Sequence, residues 1–463
     1  MFPLPSSCVT PSWRRCGGPL LLGAALAGLA TPVAAQDLLA KAPPQSAPIV
    51  LKNCKLFTVS GGIVLDGTLW FADGQIRGVL AADQTLQLPP GPEPVVLDLQ
   101  GKLVFPGMIS ASTSLGLIEI GSVRQTVDTD EVGDLSPEAL AIVAVNPDST
   151  AIPVARSNGV LAAAVFPSGG LLPGRASVLQ LDGWTNADLT VRADAGPVVA
   201  WPAERGDRGG RRGAGRRPAG GDPDGDAEQA TQQARQRIDD TFAAARAWLD
   251  AFSVDSSIGV DLRHAALAAA LRGETKVFVL ADELEQIESA VLWATSRQLL
   301  PVIVGGRDAA QCATLLRERK VPVIVNGVHR LPRRDDSPYD EAFTLPHRLL
   351  QAEVKFCIAT GSDFSNDRNL PYHAAAAAAH GLTQDQAIAA ITQHAAEILG
   401  VGDRLGSLAV GKDATLFVAD GHPFELGSRI ELAFVQGRQV DLRNKQTELA
   451  KKYRERYRQL RGK

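Results

Sequence analysis

The sequence predicts an α/β protein: a (β/α)8 barrel carrying a small β-sandwich that the two ends of the chain build together. Three observations carry this. Residues 48–103 read as short strands separated by turns. Residues 406–440 resume the same pattern. Between them, residues 104–405 alternate strand-like and helix-like segments.

In the first segment, 49–51, 54–59, 67–71 and 75–79 are apolar or alternating runs, and Asp73-Gly74 marks a hairpin. In the last, 413–418 and 430–435 are strands, with Gln436-Gly437 turning the chain into 438–440. Neither set alone has enough strands to bury a core, so a composite domain is expected. The barrel strands are expected at 103–109, 160–166, 178–181, 198–201, 277–280, 301–304, 321–325 and 354–359. Helices are expected at 228–252, 283–296, 309–319, 373–380 and 384–400. An open doubly wound sheet is the other architecture this order allows, but no Gly-rich phosphate loop follows any strand.

The ends and the composition set the setting. Residues 1–35 read as a secretory signal peptide: Arg14 and Arg15, an apolar run over 20–29, then Val33-Ala34-Ala35. Export to the periplasm is therefore expected, by either the general or the twin-arginine route. Cleavage takes away two arginines and no acids, so the formal charge of −4 becomes −6. That balance carries no nucleic-acid signature. Cys54, Cys312 and Cys357 remain, with no C-x-x-C pair, and Cys312 and Cys357 read as small core residues. Residues 203–228 hold six arginines and then a Gly/Asp run, and read as a disordered, solvated loop. Residues 441–463 form a basic helix with Leu449, Tyr453, Tyr457 and Leu460 on one face. That face is expected to dock on its own domain; contact with a partner or an anionic membrane surface is the alternative.

Three landmarks carry a resemblance. Residues 101–116 run G-K-L-V-F-P-G-M-I-S-A-S-T-S-L-G. Residues 392–400 run T-Q-H-A-A-E-I-L-G, and 405–414 run L-G-S-L-A-V-G-K-D-A. Together they resemble the amidohydrolase superfamily, nearest its imidazolonepropionase-like and aminoacylase-like members. The resemblance spans 48–440 and implies a metal-dependent hydrolase of carbon–nitrogen bonds, with zinc or another divalent metal at the barrel mouth.

The resemblance also implies a ligand set. It asks for two histidines on the first barrel strand, a lysine or glutamate after the fourth, and histidines on the fifth and sixth. An aspartate after the eighth acts as general base. This chain has Ser112 and Ser114, then Leu280, then Arg307 at the four histidine positions. Ser110 stands where the family has an aspartate, and Glu204 is the nearest acid after the fourth strand. Asp363, in Thr360-Gly361-Ser362-Asp363, matches the general base. Leucine has no donor atom and arginine carries a fixed positive charge, so no metal cofactor is expected.

Of the seven histidines, His264, His347, His373, His380 and His394 fall on expected helices and His422 in a turn. All six read as packing or surface residues. His329 follows the seventh strand and is expected at the mouth. With Asp363, Asp282, Asp308 and Glu119 it is one candidate set for a hard cation. Arg307, His329, Arg330, Arg333 and Arg334 are also a candidate pocket for an anionic small molecule, opposite Asp363. Arg333 and Arg334 with Asp335 and Asp336 alternatively form a solvated ion-pair loop.

Two functions remain open. One is an exported, non-catalytic ligand-binding or assembly homologue, working beside an active amidohydrolase. The other is a hydrolase of amides or cyclic imides.

Overall fold

The computed structural model describes residues 39–203, 223–332, 334–361 and 364–462. The leader (1–35) and most of the arginine–glycine loop lie outside the described residues. The strands run β1 Ile49–Phe57, β2 Ile63–Ala72, β3 Gln75–Leu80, β4 Val95–Asp98, β5 Leu103–Pro106, β6 Met108–Thr113, β7 Val160–Val165 and β8 Gly174–Gln180. They continue as β9 Thr190–Ala200, β10 Val277–Ala281, β11 Pro301–Gly305, β12 Val323–Asn326, β13 Phe356–Ala359, β14 Leu416–Ala419, β15 Ile430–Val435 and β16 Arg438–Gln439.

The chain ends do build one sheet. Its order is β16-β15-β14-β5-β1-β2-β3, with β4 also on β1. The join is the antiparallel pairing of β5 with β14, from Leu103↔Ala419 to Pro106↔Leu416. The sheet curls on itself: Ile76 N donates to Lys412 O at 2.8 Å and Ala414 N to Gly74 O at 2.7 Å. Leu51, Leu56, Leu69, Phe71, Leu416 and Phe434 fill the inside. Burying such side chains supplies the small domain's stability, at about 1.5–3 kcal/mol each.

The second sheet is the barrel, in the order β6 to β13. The expected single strand over 103–109 is divided. Leu103–Pro106 belongs to the small sheet and Met108–Thr113 to the barrel. Gly107 makes the hand-over, because a Cβ there would lie 2.8 Å from Leu161 Cβ.

Strand direction departs from a uniform (β/α)8 pattern. β8 is antiparallel to both β7 and β9. A parallel return needs a crossover of about a dozen residues or more. The connections here, 166–173 and 181–189, are too short, and a Pro/Gly-rich turn fills the first. The other barrel pairs are parallel. Side chains alternate across the wall as period two demands. Phe278, Val302, Val304 and Ile324 pack inside the barrel, whereas Val277, Val279, Ile303 and Val323 face the helices.

Of the stretch 203–228 expected to be disordered, the far end is helical instead: a helix runs from Pro223 to Val254. Of the helices that escaped the sequence reading, two are ten residues or longer. Leu262–Leu271 is capped by Asp261, whose carboxylate accepts from Arg263 N and His264 N, and Glu341–Gln351 contains Pro346. The expected helix over 384–400 is two helices, Gln384–Ala390 and Gln393–Ile398. It breaks where Ile109 N of β6 takes the carbonyl of Ile391 at 2.8 Å. The terminal helix, Lys445–Arg461, does not dock: none of its residues is buried.

Candidate functional site

The C-terminal ends of the barrel strands surround a cavity of about 1000 Å³. Its wall brings together Ser112, Thr113 and Ser114 from the end of β6, Leu280 and Asp282 at the end of β10, and Arg307 after β11. Three of the four expected ligand strands therefore do converge: Ser112, Ser114, Leu280 and Arg307 share one cavity. Asp363 and Arg333 lie outside the described residues.

His329 is directed elsewhere. Its ring stacks on His373 with centroids 4.1 Å apart, and Phe343 lies 6.3 Å away. His373 is buried, and its Nδ1 accepts from Val328 N at 3.1 Å. Burial, then the neighbouring His329, pushes the His373 pKa down to about 4. Burial lowers His329 as well. The pair is therefore neutral near pH 7 and holds the loop after β12 by packing.

The acids proposed for a hard cation are already engaged separately. Asp282 lies 3.5 Å from Arg307 Nε and accepts from Arg307 N at 3.3 Å. Asp308 accepts a two-pronged contact from Arg334, at 3.1 and 2.5 Å. Glu119 accepts from Asn146 Nδ2 at 3.2 Å. Among the described residues no three of His, Cys, Asp and Glu form a metal-holding group. Arg334 thus leaves the expected ion-pair loop and braces the mouth.

The donor set at the mouth does not fit a divalent metal. Leu280 offers carbon only, Arg307 adds positive charge, and two hydroxyls cannot replace imidazoles. The thiols do not help. Burial pushes Cys54 and Cys312 up to about 12, and raises Cys357 too.

Several residues escaped the sequence reading. Gln286 ties the mouth together: its Oε1 accepts from Asp282 N at 2.8 Å and its Nε2 donates to Trp201 O at 2.5 Å. Gly305, at φ 110°, gives Asp282 its place, since a Cβ there would lie 2.6 Å from Asp282 Oδ1. Asn326 Oδ1 is buried in the cavity wall without a hydrogen-bond partner among the described residues. Arg330 Nε and Nη2 are also buried, with no partner among the described residues. Burial is the main influence lowering the Arg330 pKa, and Arg307 adds to it.

The largest omission is Asp367. It is fully buried in the turn after β13. Ser110 and Thr113 of β6 donate to its two oxygens at 2.7 and 2.6 Å, and Thr360 donates at 2.9 Å. A register irregularity between Ser110 and Thr113 turns both hydroxyls toward it. No signal in the sequence marked this carboxyl, because its partners are 7, 254 and 257 positions away.

Comparison with known proteins fits this geometry. The amidohydrolase family model matches residues 308–447. The imidazolonepropionase of Brucella suis (strain ATCC 23445 / NCTC 10510) is 30% identical over 169 residues, 35% of this chain and 40% of that protein. That of Cupriavidus taiwanensis is 29% identical over 197 residues, 41% of this chain and 44% of that protein. The chain thus spans about two fifths of the length of these curated relatives. The crystal structure of an amidohydrolase from Thermotoga maritima MSB8 superposes with a TM-score of 0.71 at 22% identity, covering 85% of this chain and all of that one. The amidohydrolase family's sequence pattern thus lies on residues 308–447, the last barrel strands and the small sheet, and the fold of an amidohydrolase extends over 85% of the chain.

Proposed function

We propose that this protein is an exported, periplasmic amidohydrolase-superfamily member that binds a small anionic molecule at the barrel mouth without metal-dependent hydrolysis. It works as a binding or assembly subunit beside an active family member. The observation that carries the reading is the pair Leu280 and Arg307 on the cavity wall, at positions where the family resemblance asks for histidines. A carbon side chain and a guanidinium disfavour a bound dication and favour a negatively charged ligand. Arg330, whose Nε and Nη2 are buried with no partner among the described residues, lies near enough to Arg307 for their charges to interact but is not among the residues lining the cavity.

A second reading, hydrolysis of amides or cyclic imides, is favoured by the matched relatives, which are named imidazolonepropionases. One experiment separates the two. Purified protein is analysed for bound metal, screened by thermal shift against small carboxylates, and assayed on amide and cyclic imide substrates with and without added zinc. Carboxylate-dependent stabilisation, with no turnover at any zinc level, supports the binding reading. Turnover lost on Ser112→Ala or Arg307→Ala establishes the hydrolase instead.

A further inference from the structure

The terminal helix, Lys445–Arg461, has no role in the barrel or the small sheet, yet it is built with care at its base. Asn444 is buried and caps it: its Oδ1 accepts from Thr447 N at 2.9 Å, and its Nδ2 donates to Ser157 Oγ of the barrel at 2.9 Å. Beyond that anchor every helical residue is exposed. A helix of this length with no packed face is marginal in water. Leu449, Tyr453, Tyr457 and Leu460 form one stripe and are 41%, 48%, 55% and 56% exposed.

Charge decides what the stripe meets. The helix holds seven Lys and Arg against two Glu, a net +5, and Glu455 is already paired to Arg458 at 2.7 Å. Subtracting that +5 from the whole-chain −4 leaves −9 on the rest, so the helix is a local inversion of the chain's charge. Lys445, Lys452, Arg456 and Arg461 each stand three or four positions from a stripe residue, so they flank it. Pairing with the same helix of a second copy is opposed by +5 against +5. It also places Gln446 and Arg456 in the heptad seam that Leu449, Tyr453 and Leu460 define. Among the described residues no helix is long and apolar enough to cross a membrane.

We infer that Lys445–Arg461 is a docking helix for an anionic lipid surface, lying in the interface with Leu449, Tyr453, Tyr457 and Leu460 inward and its flanking cations on headgroups. Tyrosine suits that depth, apolar in its ring and polar at its tip. The inference stands apart from the reading of the mouth.

The test is co-sedimentation of the full chain with vesicles of phosphatidylcholine alone or with phosphatidylglycerol. The informative quantity is the difference in binding between the two kinds of vesicle. The wild type should bind the anionic vesicles more tightly, and about 0.5 M salt should remove the difference. The Lys452→Glu/Arg456→Glu/Arg461→Glu variant should lose about tenfold or more of the anionic binding. Tyr453→Ser/Tyr457→Ser should weaken it with the charge intact. Circular dichroism checks that each variant is folded. Equal binding to both vesicles, an unchanged triple variant, helix-dependent dimers in sedimentation, or binding to duplex DNA in place of vesicles would each overturn the inference.

Discussion

Ser110 Oγ and Asp367 Oδ1 are 2.7 Å apart across 257 positions of sequence, and both residues are fully buried. The contact sits where β6 and β13, the two ends of the barrel sheet, come together without a backbone ladder between them. Thr113 and Thr360 add hydroxyls from either side of the same seam. A side-chain carboxyl thus links strands that backbone pairing does not.

Asp367→Ala should cost about 3–5 kcal/mol, because two buried hydroxyls and a half-buried one lose their acceptor at once. Ser110→Ala should cost about 1–2 kcal/mol, since Asp367 keeps its other donors. Urea unfolding of the two variants measures both. Equal effects would mean that the seam does not depend on the carboxyl.

Asp182 makes a comparable link between the barrel and the small sheet. It is buried and accepts from Arg156 and from Arg438, each at 2.9 Å. Asp182→Ala should cost about 3–5 kcal/mol by leaving the buried Arg156 guanidinium without that partner. It should also separate a single thermal transition into two, read by calorimetry.

Acid should destabilise the protein partly through His373. Its folded pKa, about 4, lies below the 6.5 of an unperturbed histidine, chiefly through burial. The unfolded chain therefore takes up this proton first. The stabilisation is complete above pH 6.5 and is lost as pH falls toward 4, by up to about 3 kcal/mol. His373→Asn should flatten the stability–pH curve in that window, measured by urea titration at each pH.

The Arg307–Asp282 pair is half-exposed, so Arg307→His alone should change stability by no more than about 1 kcal/mol. By itself it should bring no metal affinity. Ser112→His, Ser114→His, Leu280→His and Arg307→His combined place four imidazoles on one cavity wall and should bind zinc in isothermal titration. No heat of binding in the combined variant would show that the mouth no longer holds those positions at ligand distance.

The sequence by itself determined the two-sheet plan and the composite small domain, and it set the expectation for the four histidine positions. These are local facts: period-two alternation, turn residues and motif spacing are written within a few positions of one another. It also showed the amphipathic stripe of the terminal helix. Only the tertiary structure decided that this stripe is left uncovered, since a face says nothing of its partner. Only the structure reversed β8, where connection length outweighs strand pattern. It also turned His329 onto His373, paired Arg307 with Asp282, and brought Asp367 to Ser110. Each of these depends on groups distant in sequence meeting in a buried space, where an unpaired polar group is costly and the three-dimensional packing selects its partner.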